Sequence, residues 1–360
     1  MKTYERILRA VYAQPWAIQL EKLDAILAFL EVKASGGFTS AEVLAELRAQ
    51  NAAIQARAKS ATGGTGAVAV IPIYGTVCHR ADLFSEYSGG TSCESIAKQL
   101  RAALADPAVS AIVLDIDSPG GPVDGIAELA DEIYKARGKK PITAIADTLC
   151  ASAAYWIGCS ATQFVCTPSG MVGSIGVYDV HQDLSKALEM AGEKMTFIAA
   201  GKYKVERNPA EPLSEEARQA MQNRVDEYYS MFTRAVARGR NAKVEDVRNG
   251  FGEGRAVTAQ QAVKLGMVDR VATLDEVLAG FGVSRSTSAQ AEAQLATPVA
   301  ERFMGDPQGQ QPEPDAIDVP AAPIETEESE DLVHDVNQGA QTTASEAESF
   351  ERELVIAQLS

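Results

Sequence analysis

The sequence predicts an α/β fold in which strands and helices alternate within one large domain. Apolar runs rich in β-branched residues recur along the middle of the chain, and helical patterns separate them. The strand-like runs cover residues 67–73, 111–116, 142–146 and 195–200. The helical patterns cover residues 95–104, 124–137, 183–191, 214–238 and 258–265. A helix between successive strands indicates crossover connections.

The two ends of the chain differ from this middle part. Residues 1–60 are predicted to be a helical extension, because residues 17–32 have apolar side chains at helical spacing and Thr39-Ser40-Ala41-Glu42 resembles a helix start. Glycine-rich residues 61–66 read as a linker to the main domain at 67–282. Residues 283–360 contain few large apolar side chains, so we expect a mostly disordered acidic tail with a short helix near its end.

The charge of the chain is concentrated in this tail. The 360 residues carry a net charge of -16, and residues 283–360 hold 16 acidic and 3 basic side chains, a local charge of -13. Such a balance disfavours binding to nucleic acid. Five cysteines without paired spacing and three unclustered histidines argue against a metal site or a disulfide framework. Without a signal peptide or a long apolar span, we expect a cytoplasmic protein with no membrane partner.

Two glycine-rich turns could carry chemistry. The first is Asp117-Ser118-Pro119-Gly120-Gly121-Pro122, which follows a predicted strand and could present backbone N–H groups to an oxyanion. An ordinary strand-to-helix turn is the alternative for this motif. The second turn, residues 170–176, lacks the ending of a phosphate-binding loop, so a phosphate site there is poorly supported.

Ser152 is the candidate nucleophile. It lies after the predicted strand 142–146, at the start of a small-residue segment that can form a helix. Taken alone, a serine at this place is more often a helix cap than a nucleophile. The flanking alanines exclude the glycine-flanked serine motif of α/β-hydrolases.

A nucleophilic serine needs a base, and three residues qualify. His181 lies near Asp179 and Asp183, which would permit a Ser-His-Asp arrangement, although a surface histidine is the plainer interpretation. Lys202 and Lys204 follow the predicted strand 195–200. A lysine can act as a base only where burial lowers its pKa, and a solvated loop lysine is the alternative for both.

Five motifs in order resemble the signal peptide peptidase A, or protease IV, family of serine peptidases. The motifs are the Asp117 to Gly121 turn, Ala151-Ser152-Ala153-Ala154-Tyr155-Trp156, Val172-Gly173-Ser174-Ile175-Gly176, Gly201-Lys202-Tyr203-Lys204, and Gly254 to Ala262 leading to Gly266-Met267-Val268-Asp269. The resemblance covers about residues 67–278. The family usually has Ser-Gly-Gly where this chain has Ser152-Ala153-Ala154, a mild departure that a helix start accommodates.

The resemblance implies a crotonase- or Clp-like core of ββα units and a Ser-Lys dyad that needs no cofactor. It makes Ser152 the nucleophile, Lys204 the general base, Ser174 the hydroxyl that orients the lysine, and the N–H groups of Gly121 and Gly120 the oxyanion hole. The helical extension and acidic tail resemble the bacteriophage branch of head-maturation proteases. Family members form rings, so we expect a homo-oligomer with active sites at subunit interfaces, acting on capsid or scaffold polypeptides.

Other functions stay open at this level. A cellular peptidase that degrades peptides would use the same dyad. A Clp-like protease would use Ser152 with His181, and an acyl-CoA hydratase would use the oxyanion hole without a nucleophile. A scaffold protein with an inactive protease domain would need none of these groups.

Overall fold

The computed structural model describes residues 11–12, 14–34, 67–80 and 90–283. The predictions for residues 1–10, for the helix start at Thr39, for the linker at 61–66 and for the tail from residue 284 lie outside these described residues.

The described elements alternate along the chain as expected. The strands are β1 (Trp16–Ile18), β2 (Ala67–Tyr74), β3 (Val77–Cys78), β4 (Thr91–Ser92), β5 (Val109–Ser118), β6 (Gly120–Pro122), β7 (Ile142–Ala151), β8 (Gln163–Cys166), β9 (Met171–Gly173), β10 (Ala256–Thr258) and β11 (Arg270–Val271). The helices are α1 (Leu20–Ala34), α2 (Cys93–Ala105), α3 (Ile126–Ala136), α4 (Ala153–Gly158), α5 (Ser185–Met190), α6 (Glu215–Arg240), α7 (Val244–Gly250), α8 (Ala259–Leu265) and α9 (Leu274–Gly280).

A largely parallel sheet forms the centre of the fold. Its strands follow the order β10-β9-β7-β5-β2, and β8 pairs with both β7 and β11. All of these pairs are parallel except β10 with β9. A long strand, a short strand and a helix follow one another as β5-β6-α3, and the long strand β2 is likewise followed by the short strands β3 and β4 and by helix α2. The α/β class with crossover connections and ββα units is therefore confirmed.

Helices cover the sheet and bury its apolar strands. In α3 the buried residues are Ile126, Leu129, Ala130, Ile133 and Ala136, the spacing of one helix face. A second cluster joins α9 to the other side of β2 and β5 through Leu274, Val277, Val68 and Val113. The longest described helix, α6, is rich in charged residues, and no helix within the described ranges is long and apolar enough to cross a membrane.

The prediction of a helix from residue 17 is wrong at its beginning. Trp16–Ile18 is a strand that pairs antiparallel with β6, and the helix starts at Leu20. The apolar residues Ala17 and Ile18 fit the helical spacing, but both are buried in a strand. The partner of that strand, β6, lies about a hundred positions further along the chain.

The strand predicted at residues 195–200 is absent from the described elements. Residues 194–200 are exposed, and the side chain of Ile198 is 99% exposed. The run has the composition of a strand, but it pairs with no strand among the described residues, and a strand forms only with a partner.

Candidate active site

Ser152 lies at the sharp turn between β7 and α4. Its backbone adopts φ 57° and ψ -119°, and the residue is 1% exposed. A residue with a Cβ reaches this region only at a cost of about 1–3 kcal/mol, which the surrounding structure must offset. Strain of this kind is concentrated at functional sites, and a strand-to-helix turn is where nucleophilic serines are presented.

The helix-cap interpretation of the Ser152 hydroxyl is not supported. Ser152 occupies the N-cap position of α4, but its side chain makes no capping hydrogen bond. The Trp156 N–H donates instead to the backbone carbonyl of Ser152, at 3.1 Å. The hydroxyl is thus left available for another role.

Two aromatic residues fix α4 beneath this turn. The Tyr155 hydroxyl donates to the carbonyl of Met267 at 2.8 Å. The indole of Trp156 stacks on the ring of Phe232 in α6, with centroids 4.6 Å apart. Both aromatic side chains are buried, so the position of the turn is held from two directions.

The sheet brings Ser174 beside Ser152. Strand β9 runs parallel to the end of β7, with Ala151 opposite Gly173. The Ser152 N–H donates to the Gly173 carbonyl at 2.7 Å, and the Ser174 N–H donates to the Arg255 carbonyl at 2.9 Å. Ser174 also has a positive φ, 53°. Two strained serines therefore follow paired residues of adjacent strands.

Gly120 and Gly121 lie against the same turn. A methyl group added to Gly120 would lie 3.0 Å from the Ser152 Cβ, and Gly120 has a φ of 103° that favours glycine. A methyl group on Gly121 would lie 1.7 Å from the Val77 carbonyl oxygen, so that residue must be glycine. The Gly120 N–H donates to the Ser118 hydroxyl at 3.2 Å. The turn that was expected to expose its N–H groups is buried.

The structure does not join Lys204 to this group within one chain. Lys204 is exposed, and among the described residues its ammonium group makes no hydrogen bond or ion pair. Lys202 is exposed as well, and its ammonium group is paired with Glu216 at 2.8 Å and bonded to the Tyr203 hydroxyl at 3.0 Å. Of the two lysines, Lys204 is the one without a competing carboxylate in the described structure.

Among the described residues His181 makes no hydrogen bond to Ser152 or to an aspartate, and the Asp183 carboxylate accepts from the Ser185 N–H instead. The buried Nε2 of His181 has no hydrogen-bond partner among the described residues. The carboxylate of Asp179, 2% exposed, is paired with Arg207 and Arg224 instead. An aspartate held by two arginines is not available to orient a histidine. No group of His, Cys, Asp and Glu side chains in the described ranges comes together to hold a metal ion.

Two parts of the site were not predicted from the sequence, namely the pairing of β1 with β6 and the bridge between Trp16 and Tyr178. Strand β1 lies along β6, with Ala17 opposite Gly121, and Trp16 forms a second antiparallel bridge with Tyr178. The aromatic residue Trp16 and the proline before it favour a short extended segment. The partner strands could not be identified from those local signals.

The chain is similar to known peptidases. Residues 135–283 match the model of peptidase family S49. The chain is 31% identical to capsid assembly protease C of Escherichia phage lambda over 74% of its own length and 60% of that protein. It is 35% identical to head-tail preconnector protein GP5 of Enterobacteria phage P21, over 57% of its own length and 40% of that protein.

A cellular relative matches the same region. The chain is 31% identical to protease 4 of Salmonella typhi over 60% of its own length and 34% of that protein. It thus spans between about a third and three fifths of the length of these three relatives. The match to the model of peptidase family S49 is confined to residues 135–283.

Proposed function

We propose that the chain is a serine endopeptidase whose nucleophile is Ser152. The observation that carries the proposal is the backbone of Ser152, strained at a buried strand-to-helix turn while its hydroxyl makes no capping bond. Attack by Oγ on a peptide carbonyl would form an acyl-enzyme, which water then releases. The similarity to peptidase family S49 supports this chemistry.

In this proposal Gly120 and Gly121 supply the oxyanion hole and Ser174 orients the base. The closeness of Gly120 to the Ser152 Cβ supports the first role. In this role the Gly120 N–H would exchange its bond to the Ser118 hydroxyl for one to the charge that develops at the serine. The Gly173 contact supports the second role, because it places Ser174 next to the nucleophile.

Lys204 is the proposed general base, contributed by a neighbouring subunit. Two features support this arrangement. Lys204 is exposed in the single chain, whereas a lysine that acts as a base must be buried. The nearby exposed apolar residues are Met190, Met195, Phe197, Ile198 and Tyr203. A second copy that covers them would bury the lysine as well, and the unpaired run 194–200 offers backbone groups to a partner strand.

The substrates we propose are capsid or scaffold polypeptides of a phage or prophage, cleaved during head maturation in the host cytoplasm or the procapsid. The similarity to capsid assembly protease C and to the head-tail preconnector protein supports this choice. General peptide degradation is the second candidate, supported by the similarity to protease 4.

Co-expression with the neighbouring capsid genes tests the substrate. We expect mass spectrometry to find cleaved capsid or scaffold proteins with the wild-type chain and intact ones with Ser152→Ala. Cleavage that persists with Ser152→Ala would contradict the proposed nucleophile. Intact capsid proteins alongside hydrolysis of unrelated peptides would favour the second candidate.

A further inference from the structure

The segment from Pro15 to Gln19 lies along the strand that carries the proposed oxyanion glycines. The Gln19 N–H donates to the Pro119 carbonyl at 3.1 Å, and the Val123 N–H donates to the Pro15 carbonyl at 3.3 Å. Hydrogen-bonded pairs alternate in an antiparallel ladder. Ala17 and Gly121 are therefore the hydrogen-bonded pair between these two, and the Gly121 N–H is occupied by the Ala17 carbonyl.

The same segment is held along its other edge. The Trp16 N–H donates to the Tyr178 carbonyl at 2.8 Å, and the Tyr178 N–H donates to the Trp16 carbonyl at 3.0 Å. An extended segment bonded on both sides has the geometry of a peptide bound by β-strand addition. Here the occupant belongs to the chain itself.

The segment also touches the nucleophile's surroundings. A methyl group on Gly120 would lie 2.2 Å from the Ala17 carbonyl oxygen and 3.0 Å from the Ser152 Cβ. The Ala17 backbone and the Ser152 side chain thus lie beside the same glycine. An extended substrate that reached Ser152 would need backbone groups that β1 already uses.

We propose that residues 15–19 are a built-in pseudosubstrate, which an extended peptide must displace before it reaches Ser152. The inference rests on the proposed function, since it concerns access to that site. Displacement exchanges one set of backbone hydrogen bonds for another. The difference in free energy between the docked segment and a bound peptide therefore depends on their side chains.

The side chains of the segment indicate which peptides compete best. Trp16 and Ile18 are 0% and 2% exposed, and they pack in a small cluster with Val11, Leu23 and Tyr178. Ala17 points to the other face and joins the main core. A displacing peptide must replace the burial of two large apolar side chains. We therefore infer a preference for extended peptides with large apolar residues on either side of a small one.

Tryptophan fluorescence can report displacement directly, because the chain has two tryptophans. In the full-length Ser152→Ala, Trp156→Phe variant, Trp16 is the remaining indole. The probe is a fluorescein-labelled peptide with the sequence of residues 14–20, carrying phenylalanine in place of tryptophan. A matched peptide has serine in place of that phenylalanine and of the isoleucine that corresponds to Ile18. Binding is followed by anisotropy in the same titration.

We expect the first peptide to bind with a shift of Trp16 emission towards that of a solvent-exposed indole, and the serine peptide to bind at least about tenfold more weakly. Binding of the first peptide without an emission shift would overturn the proposal, as would equal binding of both peptides or no binding of either. These readouts do not need catalysis. If Ser152 were not the nucleophile, peptide binding and the emission shift would be unchanged. The proposed function would then fail in a separate experiment, the covalent labelling of Ser152 by a fluorophosphonate.

A second variant tests the same point from the other side. Ala17→Pro removes the N–H that Ala17 contributes to the ladder, so β1 should dock less firmly. We expect the Ser152→Ala, Trp156→Phe protein with this change to bind the first peptide at least about tenfold more tightly than the Ser152→Ala, Trp156→Phe protein without it. Unchanged affinity in a folded variant, with Trp16 emission already shifted, would show that β1 does not occupy the peptide site.

Discussion

The Ser152 N–H donates to the Gly173 carbonyl across 2.7 Å, and this bond connects the two strand ends on which the proposed catalytic serines lie. Because Ala151 is paired with Gly173, the residues that follow them, Ser152 and Ser174, leave the sheet together. Both have positive φ values, 57° and 53°. The site is thus built from two adjacent turns of one sheet, which rigid strands keep in position.

Gly121 tests how closely the turn is packed. Gly121→Ala would place a methyl group 1.7 Å from the Val77 carbonyl oxygen, a collision between backbone elements. We expect a loss of about 3 kcal/mol or more in the free energy of unfolding, measured by urea denaturation. Gly138→Ala is the control, since nothing lies within 4 Å of its added methyl group, and it should change stability by less than about 1 kcal/mol. Similar stabilities for both variants would contradict the described packing.

His181→Ala separates the lysine dyad from a Ser-His mechanism. The Asp179 carboxylate is held by two arginines, so it does not orient the imidazole. We expect peptide hydrolysis to stay within about threefold of the wild-type rate. Loss of a general base lowers the rate by about 10²- to 10⁴-fold, and a decrease of that size would point to His181 as the base.

The two lysines should differ in their effects. Lys202 is paired with Glu216, and its pKa is raised by the hydrogen bond to that carboxylate and by the one to Tyr203, so it stays protonated. We expect Lys204→Ala to lose about 10²-fold or more of the hydrolysis rate, and Lys202→Ala to keep most of it. The opposite result would assign the base to Lys202.

Mixing of inactive variants tests the shared site. If Lys204 serves the neighbouring subunit, an oligomer of Ser152→Ala and Lys204→Ala chains contains subunits with Ser152 intact beside neighbours with Lys204 intact. We expect activity to return on mixing after dissociation and reassembly. Mixed oligomers that remain inactive would place the dyad within one subunit.

The ion pair of Asp269 with Arg240 makes stability depend on pH. Burial raises the pKa of Asp269, but the hydrogen bonds from Arg240 and from the Phe164 N–H outweigh that effect and hold the pKa below its usual value. A carboxyl with a lowered pKa stabilises the fold above its unfolded pKa of about 3.9, and this contribution is lost as the pH falls through the folded value.

Asp269→Asn therefore should destabilise the fold more at neutral pH than in acid. The carboxylate is 39% exposed, so solvent screening limits the expected loss to about 1 kcal/mol at pH 7. We expect the difference from wild type in urea denaturation to become smaller near pH ~3. A difference that is the same at both pH values would contradict the charge-based account.

The strands β2, β5 and β7 could be predicted from sequence because each contains a mostly apolar run, and most residues of β5 and β7 are buried. Strand β1 could not, because three residues carry little periodicity and its partner lies far away in sequence. Composition predicts a strand at residues 195–200, but composition does not show whether a pairing edge exists.

The residues of the candidate site could be predicted from the sequence, but their backbone geometry could not. The resemblance to a peptidase family gave Ser152, Ser174 and the two glycines, and the structure brings these together. The positive φ of Ser152 left no sign in the sequence, because the residues after it are alanines rather than glycines. The roles of these residues, and that of Lys204, stay predictions that the experiments above address.

Covalent labelling of Ser152 tests the central claim most directly. The wild-type chain, Ser152→Ala and the control Ser160→Ala are treated with a fluorophosphonate, and the adduct is located by peptide mass spectrometry. Ser160 is a suitable control because it is also buried at 1% exposure, and its hydroxyl donates to the Trp156 carbonyl at 3.1 Å. We expect an adduct on the Ser152 peptide in the wild type and in Ser160→Ala, and none in Ser152→Ala. Labelling at another residue, or undiminished labelling of Ser152→Ala, would contradict the account.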